Sequence, residues 1–431
     1  MGGTVGDSDR VVMAGKVAPY HYLRPTLTHE LTPIRDCRPM TFRAGRHFLQ
    51  LPGPTNVPDR ILRAMDRPPI DHRGPEFGEM GQRILKGLKE VFQASEHVFV
   101  YPASGSGSWE AALVNTLSPG DRVMRFDSGH FAETWGGVAG ALGLGVDVLP
   151  SDWRRPIDPA AVEEHLSGDE DHAIKAVLIT HNETSTGVRS DVPGVRAAID
   201  RTGHPALLMV DAVSSLCAMD LLHDEWGVDV TIAGSQKGLM LPPGLSFAAV
   251  SRKALDAHQN AELPRSYWDW SAMLTANESG YFPYTPATNL LYGLDEALEM
   301  LREEGRENTF KRHDRLAKAT RAAVAAWELE NFCLDASGFS SAQTTVKMPE
   351  GTDADALRKV ILERFDMSLG SGLGKLKGDV FRIGHLGDVN ELMIAGTLCG
   401  VEMGLGLAGV PHRPGGVRAA LEVWSSEGGD A

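Results

Sequence analysis

Two rhythms of apolar residues alternate along this chain. Short, near-continuous apolar runs occupy His97–Tyr101, 122–126, 146–149, 176–181, 206–211 and 228–234. Between them apolar positions return every three or four residues, as at Phe77, Met80, Ile84, Leu88, Val91 and Phe92. The first rhythm is that of strands buried on both faces, the second that of helices with one buried stripe. Their alternation predicts an α/β chain with a mainly parallel sheet between helices. Residues 246–251 follow the run at 228–234 after only a short turn, which predicts an antiparallel neighbour.

Beyond about residue 300 the pattern changes. A helix over 311–327, a strand over 343–348, a helix over 353–364, a strand over 380–385 and a helix over 390–406 predict a small α+β unit. The expected organisation is an arm or disordered extension over 1–46, a large domain over 47–300 and a small C-terminal domain over 301–431. Residues 262–289, rich in Tyr, Trp, Pro and Thr, read as a loop. The final dozen residues read as a disordered tail.

The bulk properties narrow the classes of function. The chain has 431 residues, with 42 Lys+Arg against 57 Asp+Glu and a formal net charge of −15. It has no basic run, which argues against binding nucleic acid through its phosphates. No uninterrupted apolar stretch is long enough for a membrane span. Cys37, Cys217, Cys333 and Cys399 are far apart and form no C-x-x-C, so neither a zinc site nor a disulfide framework is suggested, and a reducing cytoplasm fits best.

Five places carry candidate chemistry. The run 228–234 leads into Ser235-Gln236-Lys237, and a lysine at the end of a buried strand is costly to desolvate unless its amine is used. Asp211 closes another apolar strand, a poor place for an unpartnered carboxylate. The strand at 97–101 runs into the small-residue loop Ala103–Ser108 and then a helix, which is how a chain cradles an anion on free N–H groups. Glu110 stands where a dinucleotide fingerprint would need its third glycine. The strand at 176–181 ends in the polar loop Asn182–Gly187, where open α/β sheets bind ligands. Arg382 lies in the later unit.

With Pro52-Gly-Pro-Thr-Asn, Ser104-Gly-Ser-Gly, Thr180–Gly187, Val210–Ser215, Gly234-Ser-Gln-Lys-Gly, Leu241-Pro-Pro-Gly and Phe381–Gly387, the chain resembles the class V aminotransferases among the fold-type I pyridoxal-phosphate enzymes. The resemblance covers about Phe48 to Leu405. It implies a seven-stranded, mainly parallel sheet in the large domain and pyridoxal 5'-phosphate as cofactor. Lys237 would hold the cofactor aldehyde as a Schiff base, and Asp211 would pair with the ring nitrogen. Ser104, Gly105, Ser106 and Gln236 would bind the phosphate. Phe131 and Val213 would pack on the two ring faces, and Thr184 would meet the ring hydroxyl. Tyr284 and Thr285 would reach a neighbouring subunit's phosphate in a homodimer with shared active sites, with Tyr281 and Phe282 as alternatives for the ring. Arg382 would clamp the substrate carboxylate, beside Gly53 as a second substrate contact.

The implied reaction is ping-pong transfer of an amino group to a 2-oxo acid. The runs Gly280–Thr288 and Met219–Asp229 are similar to those of bacterial serine–glyoxylate aminotransferases, which makes glyoxylate the expected acceptor and serine the first donor. Aspartate, alanine and ureidoglycine are alternative donors. A cysteine desulfurase would need a thiol in the loop Ser368–Lys377, which has none. A catalytically silent cofactor-binding protein would have no need of Lys237, Asp211 and Arg382 together.

Overall fold

The computed structural model describes Gly2 and residues 44–427. Nearly all of the arm expected over 1–46 therefore lies outside the described residues. From Arg46 onward the described residues cluster as one unit.

After β1 (Phe48–Gln50), α1 (Asp59–Met65) and α2 (Pro75–Phe92), strands and helices alternate as β2 (His97–Tyr101), α3 (Gly105–Thr116), β3 (Arg122–Phe126), α4 (His130–Ala141), β4 (Gly145–Leu149), α5 (Pro159–Ser167) and β5 (Ile174–Thr180). A short hairpin, β6 (Asn182–Glu183) and β7 (Val188–Arg189), precedes α6 (Val192–Thr202), β8 (Leu207–Asp211), β9 (Val230–Gly234) and β10 (Ser246–Val250). These strands build a seven-stranded sheet in the order β2-β10-β9-β8-β5-β3-β4. Only β10 runs against the rest, pairing antiparallel with both β2 and β9.

Strict alternation along the strands feeds two cores. Val98, Val100, Ala233, Phe247 and Ala249 face the side covered by α2 and a later helix, Thr288–Glu304. Phe99, Tyr101, Ile232, Ala248 and Val250 face α3 on the other side. A one-residue slip would exchange the two sets between cores of different shape, so packing fixes the register.

Next come α7 (Arg252–His258), α8 (Trp270–Asn277), α9 (Thr288–Glu304) and α10 (Arg306–Ala326). α8 corrects the loop expected over 262–289. Its Trp270 is fully buried, stacks on Phe99 at 4.9 Å and donates to the Tyr101 hydroxyl at 2.7 Å, so tertiary packing creates the helix.

The second sheet is built from β11 (Glu330–Asn331), β12 (Gln343–Lys347), β13 (Met367–Ser371) and β14 (Val380–Gly384), with α11 (Ala354–Phe365), α12 (Glu391–Leu407) and α13 (Gly416–Glu427) among its helices. Its order is β1-β13-β14-β12-β11, so Phe48–Gln50 is an edge strand here, parallel to β13. The segment that opens the expected 47–300 domain thus hydrogen-bonds into the sheet of the C-terminal residues. α13 corrects the expected disordered tail, since Val417, Val423 and Trp424 pack on the core of this sheet. Among the described residues no helix is long and apolar enough to cross a membrane, and no group of three or more His, Cys, Asp or Glu is placed to hold a metal ion.

Candidate active site

Three parallel strands deliver the site at their C-terminal ends, where an open α/β sheet leaves backbone groups and crossover loops facing a crevice. β9 ends at Gly234 and turns into Ser235-Gln236-Lys237. The Ser235 hydroxyl donates to Pro242 O at 2.8 Å and accepts from Leu245 N at 3.2 Å, which fixes the turn that carries the lysine. Lys237 is only 9% exposed, and its Nζ donates to Pro52 O at 2.9 Å.

The loop around Pro52 is a clasp on this lysine. Thr55 N donates to Gln236 O at 3.1 Å and Thr55 Oγ1 to Lys237 O at 3.0 Å. Gly53 has φ +126°, and a methyl group there would lie 2.2 Å from the Lys237 Nζ. Only glycine fits both the backbone angle and the approach.

Burial, then the Arg382 guanidinium, push the Lys237 pKa down to about 8, while Asp211 pulls it up. A folded pKa below the unfolded value means that the folded state resists protonation. The resulting penalty is complete below about pH 8 and disappears as pH rises through the ordinary lysine value of 10.5. Its size is about 3 kcal/mol, less about 1 kcal/mol for the hydrogen bond to Pro52. The cofactor-free Lys237→Met protein is therefore expected to be about 2 kcal/mol more stable at pH 7 than the cofactor-free parent. Calorimetric unfolding checks this, and an advantage that grows between pH 8 and 10 would contradict it.

Asp211 ends β8 beside Thr180 at the end of β5. It is 4% exposed, and its Oδ1 accepts from Val213 N at 2.8 Å. Burial pushes its pKa up to about 7. The Val213 N–H opposes the rise, the Glu183 charge adds to it, and the Trp109 indole and the Lys237 amine lower it. The indole Nε1 of Trp109 lies close without completing a hydrogen bond. A carboxylate in this position gains most from a cationic partner.

The N-terminus of α3 supplies the anion cradle. Ser104 is its N-cap in extended conformation and makes no side-chain cap bond; Gly107 N donates to Ser104 O at 2.9 Å, and the N–H groups of Gly105 and Ser106 are left for a ligand. A methyl group on Gly105 would meet Val213 Cγ2 at 2.6 Å. Around the Cβ direction of Gly234 stand Gln236 Oε1 at 3.2 Å, Val213 Cγ1 at 3.6 Å and Gly105 N at 3.7 Å. Ser104, Gly105, Val213 and Gln236 therefore converge, with Ser106 in the same helical turn. Gln236 Oε1 is buried without a hydrogen-bond partner, and a half-turn of this amide would present its Nε2 donor to an anion in the cradle. Free helical N–H groups, an orphaned amide, a buried carboxylate and a near-neutral amine are the donor and acceptor set that a phosphorylated pyridine aldehyde requires.

Phe131 and Thr184 are joined by Glu183, which was not among the expected site residues. α4 begins after Gly129, which has no side chain to cap it, and the buried Glu183 carboxylate serves instead. Its Oε2 accepts from Phe131 N and Ala132 N, both at 3.1 Å, and its Oε1 from the Ser185 hydroxyl at 2.6 Å. The missing cap was the one signal in the sequence; the distant partner was not.

Thr184 Oγ1 shares a 2.6 Å hydrogen bond with Ser214 Oγ, to which Asn182 Nδ2 also donates at 2.8 Å. Arg382, from β14, donates from Nη1 to Thr184 O and from Nε to Ser371 O, both at 2.7 Å. Those two bonds leave Nη2 and the second Nη1 hydrogen, so the guanidinium offers its end to a carboxylate. Burial lowers the Arg382 pKa to about 10, against the opposing charge of Glu183.

Tyr284 and Thr285 are not brought to this site within the chain. Tyr284 stacks on Tyr267 at 4.3 Å and donates to Ser266 O at 2.9 Å, and Thr285 is exposed. Tyr281 and Phe282 instead pack on Phe77 at 6.4 and 6.1 Å. Of these three rings, only that of Tyr284 lies outside the Phe77 core.

Residues 48–372 match the family described as aminotransferase class-V. A serine–glyoxylate aminotransferase of Methylorubrum extorquens is 48% identical over 387 residues, covering 88% of this chain and 96% of that protein. An L-aspartate–glyoxylate aminotransferase of Paracoccus denitrificans is 44% identical over 374 residues, covering 86% of this chain and 94% of that protein. The crystal structure of a ureidoglycine–glyoxylate aminotransferase from Bacillus subtilis, 28% identical, superposes with a TM-score of 0.83 over 89% of this chain and 99% of that one. The mainly parallel sheet with helices on both faces is accordingly the fold-type I architecture. Matched over most of its length, the chain belongs to the class V aminotransferase family.

Proposed function

We propose that this aminotransferase binds pyridoxal 5'-phosphate at Lys237 and moves the amino group of a small L-amino acid, serine first, to glyoxylate. The observation that carries the reading is the buried Lys237 amine at the end of β9, held on Pro52 O at 2.9 Å, with burial and then the Arg382 guanidinium lowering its pKa to about 8. An amine that is partly neutral near pH 8 can act as nucleophile and as base. Glyoxylate is the acceptor named for all three relatives above, whereas their donors differ.

Each residue then has a task. Ser104, Gly105, Ser106 and Gln236 hold the phosphate. Asp211 keeps a proton on the ring nitrogen, its buried charge stabilised by that cation. Phe131 and Val213 fix the ring plane from its two faces, and Thr184 orients toward the ring hydroxyl. The bound cofactor supplies an electron-withdrawing ring that acidifies the substrate Cα–H bond. Lys237 would take that proton from Cα and carry it to the carbon that had been the aldehyde, two atoms along, while Arg382 holds the carboxylate end-on. Gly53 leaves room beside the amine for a small substrate. Because the first oxo acid leaves while its amino group stays on the enzyme, to be taken up by the second oxo acid, kinetics are ping-pong.

Tyr284 and Thr285 serve a second copy's phosphate in a homodimer, on the outward course of their loop. The loop Ser368–Lys377 beside Arg382 contains no cysteine, which disfavours desulfuration. Cys217, Cys333 and Cys399 are free thiols, as a cytoplasmic setting would keep them.

The experiment is a half-reaction screen. The loaded protein is expected to be yellow, to bleach with serine more readily than with aspartate, alanine or ureidoglycine, and to recover its band with glyoxylate more readily than with pyruvate. A fully loaded but colourless protein, or a band that no donor bleaches, would overturn the assignment.

A further inference from the structure

We propose that Gln343 is a positioning residue that locks the substrate clamp to the cofactor's ring-hydroxyl contact; this rests on the function proposed above. The two residues it joins come from different sheets. Thr184 lies in the loop between β6 and β7, and Arg382 lies on β14.

The Thr184 carbonyl accepts two hydrogen bonds, from Arg382 Nη1 at 2.7 Å and from Gln343 Nε2 at 2.6 Å. The same residue's hydroxyl meets Ser214 at 2.6 Å. One peptide unit thus connects the clamp to the ring-hydroxyl contact, and Gln343 is its second anchor.

Strand register puts Gln343 on the working face. Gln343 lies opposite Gly384, and Thr345 opposite Arg382. Opposed residues of an antiparallel pair share a face, and so do residues two apart, which puts all four on one side of the sheet. Leu51 and Pro52 cross that side, since a methyl group on Gly384 would lie 2.1 Å from Leu51 O. Pro52 O is the acceptor of the Lys237 amine.

Gln343 is 1% exposed, and its Oε1 is buried without a partner. Leaving an amide oxygen unpaired costs stability. An apolar side chain of the same length would avoid that cost, so the amide is explained by its donor, which holds Thr184 O in reach of Arg382. With the donor removed, the carbonyl is tethered by Arg382 alone, and a carboxylate drawing on the same guanidinium pulls against that tether.

The test compares wild type with Gln343→Met, and with Gln343→Asn, which keeps an amide donor. Glycolate, an unreactive carboxylate of the size of glyoxylate, is titrated calorimetrically into the loaded protein, and the pH midpoint of the visible band is recorded. For Gln343→Met the glycolate Kd and the KM of both substrates are expected to rise about tenfold, the worth of one hydrogen bond. The band midpoint is expected to move by about half a pH unit, since the ring-hydroxyl contact loosens with the clamp. Gln343→Asn is expected to fall between Met and wild type, and it carries the same measurements if the Met variant does not fold.

A variant that melts earlier but keeps the wild-type glycolate Kd and midpoint would overturn the proposal, because Gln343 would then be merely structural. A wild type that shows no visible band, or none that a donor bleaches, would overturn the proposed function and this inference with it. A wild type that behaves as proposed beside an unaltered Met variant overturns the role of Gln343 alone.

Discussion

Replacing Lys237 by alanine is expected to cut kcat/KM by about 10²- to 10⁴-fold, the range in which a positioned acid–base group acts. The replacement removes both the amine that links the cofactor and the base at Cα. It leaves the phosphate cradle at Ser104–Ser106, the Asp211 carboxylate and Arg382 in place, because the backbone of residue 237 is held by Thr55 and not by its own side chain. Cofactor is therefore expected to stay bound while the visible band is lost. A small exogenous amine should restore part of the turnover, since the space beside Pro52 and Gly53 is freed. The check is absorbance together with steady-state rates with and without the amine. More than about 1% of wild-type turnover without added amine would fall outside the range a general base supplies and remove Lys237 from the reaction.

Arg382→Ala is expected to raise the KM of both substrates about 100-fold, equivalent to about 3 kcal/mol, because it leaves a substrate carboxylate in a buried site without its partner. The yellow colour should persist, since no cofactor contact is removed. Arg382→Lys should recover little. A lysine cannot bond Ser371 O and Thr184 O and still present two hydrogens end-on. Arg382 is also the cation that helps depress the Lys237 pKa, so its loss should move the amine's pKa upward. A KM change confined to one of the two substrates would argue against a shared carboxylate clamp.

The residues legible in the sequence are those at which an apolar run ends in a charged or polar side chain. Asp211 and Lys237 stand out because strand-end burial of a charge needs a partner, and Ser104 stands out because small residues precede a helix. Where several residues act through distant partners, local pattern is silent. Glu183 caps a helix that starts more than fifty residues earlier, and Gln343 contacts a carbonyl 159 residues away. The strand Met367–Ser371 includes Ser368 and Gly370 and has no long apolar run to announce it. α8 and α13 are short, and only the cores they meet hold them as helices. Tyr284 reads as a site residue through the resemblance alone, and within the chain it stacks on Tyr267, a placement that no local pattern announces.

The clasp at Pro52–Thr55 has a consequence for how the chain tolerates trimming. Its lysine lies 185 residues further along, yet the amine's acceptor sits directly after the first strand. Proteolysis that stops short of Phe48 leaves that strand paired with β13. A cut a few residues later would release Pro52 and Thr55 together and untie the reactive amine, while every residue of the main sheet remained intact. Limited digestion should thus show a sharp boundary, with activity surviving on one side and vanishing within half a dozen residues on the other.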